Sequence, residues 1–332
     1  MTWLWAIALA VSVFAAHWGA EQLANPLQKA RRQWGLTAAA GGAVVGLASA
    51  APDIGINTAS AIQGAAEIGL GNMLGSNVVS IPGMVVVAYL GTRSRQIGDG
   101  DGPPEDHDRH VERHHLELAP SAVWVQAAPY LAIVVLAAVL ILPAPLRGLQ
   151  PVDGAIMAVA YLAYLAQALL RGRSDRKDVE WSRREAALAS AGVAVLAVAS
   201  YFITTSTQRL ASAFGIEDVV AGLFLTATMT AVPAWFATWA VARSGQVVSA
   251  ATNSIADNTV ALTVGFLPLA LVGVPVQNPA LVTVTFAFVA LMPILYAAAV
   301  HFGRDHAITR AGVAALVAAH LGFVTAAAVT IV

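Results

Sequence analysis

The sequence predicts an all-α polytopic membrane protein, with ten transmembrane helices arranged as two inverted five-helix repeats. Three observations carry that prediction: an apolar, charge-poor composition, a one-sided distribution of basic residues among the loops, and a self-similarity at a fixed offset. Of 332 residues, 58% are hydrophobic and 11% charged, against about 25% charged in soluble domains. With a mean hydropathy of +0.70, the chain carries more apolar surface than a water-soluble core of its length could hide. The net charge of −1 singles out no partner. The partners expected are the lipid bilayer and inorganic cations, with no nucleic acid, and the oligomeric state is left open. Cysteine is absent, which excludes disulfides, thiolate metal sites and cysteine nucleophiles and leaves the redox compartment open.

A helix needs about 20 apolar residues to cross the hydrocarbon layer. Windows of that kind run from Trp3 to Ala20, Thr37 to Ile62, Ile68 to Leu90, Ala122 to Leu142, Val152 to Leu170, Ala186 to Ser206, Val219 to Val241, Val247 to Leu271, Ala280 to His301 and Ala311 to Val332. None alternates polar and apolar residues as the strands of a membrane barrel do. No basic residue precedes the first window, which therefore reads as a retained helix and not a secretory signal.

Basic residues favour cytoplasmic loops. The loops after spans one, three, five, seven and nine hold Lys29, Arg31 and Arg32; Arg93, Arg95, Arg109 and Arg113; Arg171, Arg173, Arg176, Lys177, Arg183 and Arg184; Arg243; and Arg304 and Arg310. Of the 18 Lys and Arg residues only Arg147 and Arg209 fall on the other side. Both termini are thus expected outside a cell membrane, and an odd number of missed spans would have destroyed the separation.

An offset of 181 residues lays Pro52 on Pro233, Gly64 on Gly245, Asn72 on Asn253 and Asn77 on Asn258 without a gap. Five spans per half force the second half to enter the membrane in the opposite sense, the architecture of many secondary transporters. Residues 1–171 form the first repeat, including a polar loop over 92–119; 172–185 form a cytoplasmic linker; 186–332 form the second repeat. The matching windows are GLASAAPDIGINTASAIQGAAEIGLGNMLGSNVVSI and LTATMTAVPAWFATWAVARSGQVVSAATNSIADNTVAL. Each predicts a helix with a proline near its middle, a short turn, and a return helix rich in small polar residues. Proline removes a helical hydrogen bond, which frees carbonyls near Ala48 and Met229. At membrane depth such carbonyls need protein or a bound ion to satisfy them. Kinks and close helix packing are the other use of the same residues.

GLASAAPD followed by EIGLGNMLGSNVVSI resembles the first α-repeat of the cation/calcium exchanger superfamily, in its sodium/calcium exchanger branch, with that family's G-T-S-x-P-E and G-N-x-x-G-S-N-x-x-N patterns. GAEQLANPLQKARRQWGL suits its first helix, and FGIEDVVAGLFLTATMTAVPAWF with AATNSIADNT resembles the second repeat more weakly. The resemblance implies a secondary active cation antiporter that moves Ca²⁺ or a similar cation against Na⁺ or H⁺ by alternating access, with no cofactor. The chain also departs from the pattern. The family's paired glutamates align with Asp53 and Ala234, its Thr-Ser pairs with Ser49 and Ala50 and with Thr230 and Ala231. The serine of G-S-N aligns with Ser76 and Asp257, and the polar residue one turn later with Ser80 and Ala261. One acid has in effect moved from the proline helix to the return helix.

Asp53 and Asp257 are the only acids well inside any span. A carboxylate at the bilayer centre costs about 2.5 to 3.5 kcal/mol on insertion scales and marks an ion or proton path. Hard cations take oxygen ligands. Two carboxylates, the hydroxyls of Ser49, Ser76, Ser80 and Thr230, and kink carbonyls would supply them for the transported cation. Ser76 and Ser80 are four apart, as are Ser49 and Asp53, which places each pair on one helical face. The alternative for Asp53 is a helix cap beside the bend, and for Asp257 a hydrogen bond to nearby asparagines. Asn72, Asn77, Asn253 and Asn258, with Pro52 and Pro233, are expected to tie and shape helices. Glu21, Glu67, Asp153, Glu217 and Asp218 lie near span ends and read as interfacial.

The loop RSRQIGDGDGPPEDHDRHVERHHLEL places His110 and His114 at i, i+4 spacing, which suits Zn²⁺ when further ligands converge. Its Gly and Pro favour a flexible polar segment instead. DGDG lacks the glutamate that completes a calcium loop. Other classes compatible with the sequence are an intramembrane aspartyl enzyme, disfavoured by the flanks APDIG and ADNT, and a non-transporting sensor or degenerate exchanger, motivated by Ala234 and Ala261.

Overall fold

The structure, a computed structural model, describes residues 2–35, 46–91, 116–117, 120–143, 148–171, 176, 178–243, 255, 257–303 and 307–331. Helices occupy each of the ten apolar windows in its described part. Six are long and apolar enough to cross a membrane: Thr2–Ala30, Ala66–Gly91, Arg183–Phe214, Asp218–Trp239, Pro279–Phe302 and Arg310–Ile331. Ala127–Ile141 and Asp257–Val272 are shorter apolar helices among the described residues. The windows from Thr37 and from Val247 run partly outside that set, as do Asn253, Gly245, His110, His114 and most of the loop over 92–119. The protein is a polytopic helical membrane protein. Trp3, Ile7, Val11, Phe14 and Trp18 stand exposed along one face of the first helix while Leu9, Val13, Ala16 and Ala20 are buried on the other. In water such a stripe would be an aggregation site; in lipid it is the ordinary contact face.

Two compact units are each assembled from three chain segments. The first comprises Met1–Ser76, Pro143–Thr230 and Ala256–Pro275, the second Asn77–Leu142, Ala231–Ile255 and Val276–Val332. Each therefore draws on both halves of the sequence.

In the first unit the N-terminal helix, Thr2–Gln33, runs well past the expected end at Ala20 and keeps Pro26 inside it. Its polar extension is held by a partner: Lys29 Nζ donates to Glu185 at 2.6 Å and to the Glu180 carbonyl at 2.9 Å, and Trp181 Nε1 donates to Gln33 at 3.2 Å. That partner, Arg183–Phe214, begins with a Ser182/Glu185 capping box and ends at Gly215 in the left-handed conformation, as those residue types favour. The two helices approach backbone to backbone. A Cβ on Gly19 would lie 2.6 Å from the Gly192 carbonyl, and one on Gly192 2.7 Å from that of Gly19. Leu9, Val13, Ala16 and Ala20 pack with Ile56, Leu196, Ala199 and Ile203 into the apolar core of this unit. The Pro151–Arg171 helix starts with a buried acid used as a cap, Asp153, which accepts from the Gln150 N–H at 2.8 Å.

The proline of the first repeat does not sit mid-helix. Residues 46–49 are helical, Ala50 turns, and a new helix, Ala51–Ile62, starts with Pro52 in its first turn. Proline belongs there because its missing N–H is an unsatisfied donor in any case. Gly64, at φ 71°, then reverses the chain into the long return helix Ala66–Gly91. In the second repeat Pro233 does lie inside a helix, Ala227–Arg243, but a π-helical segment, Ala221–Thr226, precedes it. Two short antiparallel pairs, Gly148–Leu149 with Val274–Pro275 and, in the second unit, Leu116–Glu117 with Ala307–Ile308, close the loops. The second unit also packs the Pro120–Ile141 and Arg310–Ile331 helices on Pro279–Phe302. In it the Trp235 ring covers Gly83, where a Cβ would meet Nε1 at 2.3 Å.

Candidate ion-binding site

Asp53 lies in the first turn of Ala51–Ile62, where exposed N–H groups and the helix dipole favour a carboxylate. Asn72 Nδ2 donates to Asp53 Oδ1 at 2.8 Å, and Ser76, whose hydroxyl donates to the Met73 carbonyl at 3.2 Å, lies close to the same carboxylate. Asn72 and Ser76 are four apart on the return helix and so share a face. Thr230, three residues before Pro233, donates to the Ala227 carbonyl at 3.1 Å and reaches Asn72 Oδ1 at 3.5 Å. Asp257 lies within electrostatic range of Asp53, and its Oδ1 is buried with no hydrogen-bond partner among the described residues. Neither acid has an ion pair among the described residues; the pairs there are His17–Glu21 and Lys29–Glu185. Asp53, Asn72, Ser76, Thr230 and Asp257 thus come from four separate stretches of chain and all belong to the first unit.

Close backbone approach makes this possible. A Cβ on Gly71 would stand 2.2 Å from the Val219 carbonyl, one on Gly75 2.2 Å from that of Leu223, and one on Gly222 2.2 Å from that of Ile68. The Gly71-x-x-x-Gly75 pair of the return helix therefore meets Gly222 of the π-helical segment with no side chain between them, the packing small residues allow in membranes. A second brace ties Asp53's helix to that of Asp257. Asn57 Nδ2 donates to the Gly265 carbonyl at 2.8 Å, at the break between Asp257 and the helix Phe266–Val272.

Ser49 is exposed, and because Ala50 interrupts the helix, Ser49 and Asp53 do not share one uninterrupted helical face. Ser80 is buried in the second unit. Asn77 accepts from the Tyr130 hydroxyl at 2.9 Å. Asn258 is buried, and Ala261, where the family pattern has a polar residue, packs with Ala50, Tyr161 and Val260. Asn72 does more than tie helices, because it links the acid of the first repeat to the hydroxyl of the second. The π-helical segment left no mark in the sequence that composition or spacing could reveal.

Two acids with no ion pair among the described residues, set among the oxygen groups of Asn72, Ser76 and Thr230, form a candidate cation site in a membrane transporter. Residues 4–170 match the model of the family described as sodium/calcium exchanger protein, and the chain belongs to that family. Solved structures of the sodium-calcium exchanger NCX_Mj share its fold. The one soaked with 10 mM Na⁺ and zero Ca²⁺ has a TM-score of 0.62 at 17% identity, covering 98% of this chain and 99% of that one. The one soaked with 2.5 mM Na⁺ and 0.1 mM Sr²⁺ has 0.62 at 18%, again over 98% and 99%. The one soaked with zero Na⁺ and Ca²⁺ has 0.59 at 18%, over 98% and 99%. No curated protein matches the chain.

Proposed function

We propose that the protein is a secondary active antiporter of the cell membrane that moves Ca²⁺ or a similar cation in exchange for Na⁺ or H⁺ by alternating access. Asp53 and Asp257 are its central ligands, with oxygen from Asn72, Ser76 and Thr230. The observation that carries this reading is the pair of acids within electrostatic range, neither with a basic partner among the described residues. Two negative charges in a membrane interior call for a cation or protons, and together they offset one Ca²⁺ or two monovalent ions. An empty site is then costly to carry across, so the site changes sides mainly when loaded. That is the physical basis of exchange.

The proposal includes ten spans as two inverted repeats, 1–171 and 186–332 around the linker 172–185, with both termini outside. The 181-residue offset and the distribution of basic residues support it. Ser49 and Ser80 remain candidate ligands on the family pattern alone. A second reading, an ion sensor or degenerate exchanger, draws on Ala234 and on the packed Ala261.

Ca²⁺ uptake into proteoliposomes under an imposed Na⁺ gradient, and then under a pH gradient, tests the proposal and identifies the counter-ion. Asp53→Asn and Asp257→Asn should each abolish uptake, and intact flux in both would refute it. Retained ion binding without flux in the unmodified protein would favour the sensor.

A further inference from the structure

We propose that Ser200, Thr204, Thr207 and Thr226 form a second, weak cation site in the same unit as the carboxylates, a transit site for a monovalent cation of about Na⁺ size. The proposal rests on the reading of the protein as a cation carrier, but no carboxylate takes part in it.

Positions 200, 204 and 207 follow i, i+4, i+7 spacing and so lie on one face of Arg183–Phe214. All three side chains are buried, as is Thr226. Ser and Thr in membrane helices commonly satisfy their hydroxyl on the carbonyl one turn back. Ser190 does so here at 2.9 Å to Ala186 and Thr205 at 2.9 Å to Tyr201. Ser200 and Thr204, on the same helix, do not: Ser200 Oγ and Thr204 Oγ1 are buried with no hydrogen-bond partner among the described residues. Thr207 and Thr226 meet hydroxyl to hydroxyl at 2.8 Å, which uses one proton and leaves lone pairs on both oxygens. Buried polar groups are costly without a partner, so the two unpartnered hydroxyls of Ser200 and Thr204, on one face with the Thr207–Thr226 pair, point to a guest that supplies one.

The seam runs from the helix that carries Asp53 toward the residues around Asn72. Ser200 lies against Gly55, two residues beyond Asp53, where a Cβ would be 2.4 Å from the Ser200 oxygen. Thr226 is one helical turn before Thr230, which reaches Asn72. Charge decides the ligand class. Neutral oxygens replace part of the hydration shell of a monovalent ion, whereas Ca²⁺ sites recruit carboxylates.

A chain without cysteine permits a direct test. Ser200→Cys and Thr204→Cys are reconstituted and exposed to Ag⁺, a monovalent cation that forms a thiolate adduct. Intact mass after maleimide alkylation of the unfolded protein then measures the thiols left free. Val198→Cys, on the exposed apolar face of the same helix, is the control. Both seam thiols should react at least about tenfold faster than the control, because the thiolate is the reactive form and apolar surroundings suppress it. Added Na⁺ at constant ionic strength should slow them. Equal rates at all three positions in correctly folded protein, or rates indifferent to Na⁺, overturn the proposal. If the cysteine variants misfold, Thr204→Val should raise the Na⁺ concentration for half-maximal flux several-fold while Thr204→Ser leaves it unchanged; equal behaviour of the two refutes the site. Labelling needs no flux. Labelling without exchange therefore refutes antiport alone, and exchange without labelling refutes the seam alone.

Discussion

Replacing Asn72 by alanine removes one hydrogen bond of 2.8 Å to the Asp53 carboxylate and leaves the Thr230 hydroxyl without its contact at 3.5 Å. The first loss dominates. A hydrogen bond to a charged group contributes about 1.5 to 3 kcal/mol, whereas an interaction at 3.5 Å is close to the limit at which a hydrogen bond exists. If Asn72 fixes Asp53 in the orientation that meets the ion, Asn72→Ala should weaken apparent cation affinity by roughly 10- to 150-fold, at about 1.4 kcal/mol per tenfold. The measurement is the cation concentration for half-maximal flux in proteoliposomes, paired with calorimetric binding in detergent. Asn77→Ala is the control, since Asn77 takes a hydrogen bond from the Tyr130 hydroxyl at 2.9 Å. It should lower thermal stability by about 1 kcal/mol and leave affinity unchanged. An Asn72→Ala protein that folds normally and binds the cation within about threefold of the parent, less than 1 kcal/mol, would refute the reasoning and reduce Asn72 to a helix tie.

The glycine crossing gives a second expectation. In Gly222→Ala the new methyl would sit 2.2 Å from the Ile68 carbonyl and 3.0 Å from the Asn72 amide. Both contacts are backbone, so helices must part, costing about 1–3 kcal/mol of stability, seen as a lower melting temperature, and weakening cation binding as Asn72 shifts. Gly64→Ala, with open space around it but φ at 71°, should cost about 1–2 kcal/mol through backbone strain alone and leave affinity untouched. Ser182→Ala removes the oxygen that accepts from the Arg184 N–H at 3.2 Å, and should destabilise by about 0.5–2 kcal/mol, read as faster amide exchange at residues 183–186.

The polytopic helical character was legible because apolar length reports directly on a bilayer. Asp53 and Asp257 were legible because an acid in such a window has few structural uses. Ser76 and Thr230 came from the family pattern, and both reach the acid cluster. The rest depends on hydrogen-bond register and tertiary partners. The polar stretch after Ala20 looks like loop on composition, yet Glu185 and Trp181 keep it helical to Gln33. Pro52 could equally kink a helix or start one, and the break at Ala50 decides for the second. A π-helical segment differs from its α neighbours by one residue of hydrogen-bond offset, which leaves no compositional trace. Ser200, Thr204 and Thr207 stood in plain view at helical spacing, but whether a hydroxyl bonds its own helix cannot be read from spacing.

The segmented construction of the first unit sets an order of events during synthesis. Its last piece is Ala256–Pro275, so more than three-quarters of the 332-residue chain must leave the ribosome before Asp257 can face Asp53. Until then Asp53 is an acid in an unfinished helical assembly, at an insertion cost of about 2.5 to 3.5 kcal/mol for an aspartate at mid-membrane, with Asn72 and Ser76, which arrive soon after it, as its early partners. The return helix thus meets the carboxylate before the second acid does, and a nascent chain truncated before Ala256 would hold one of the two negative charges that a bound cation would offset.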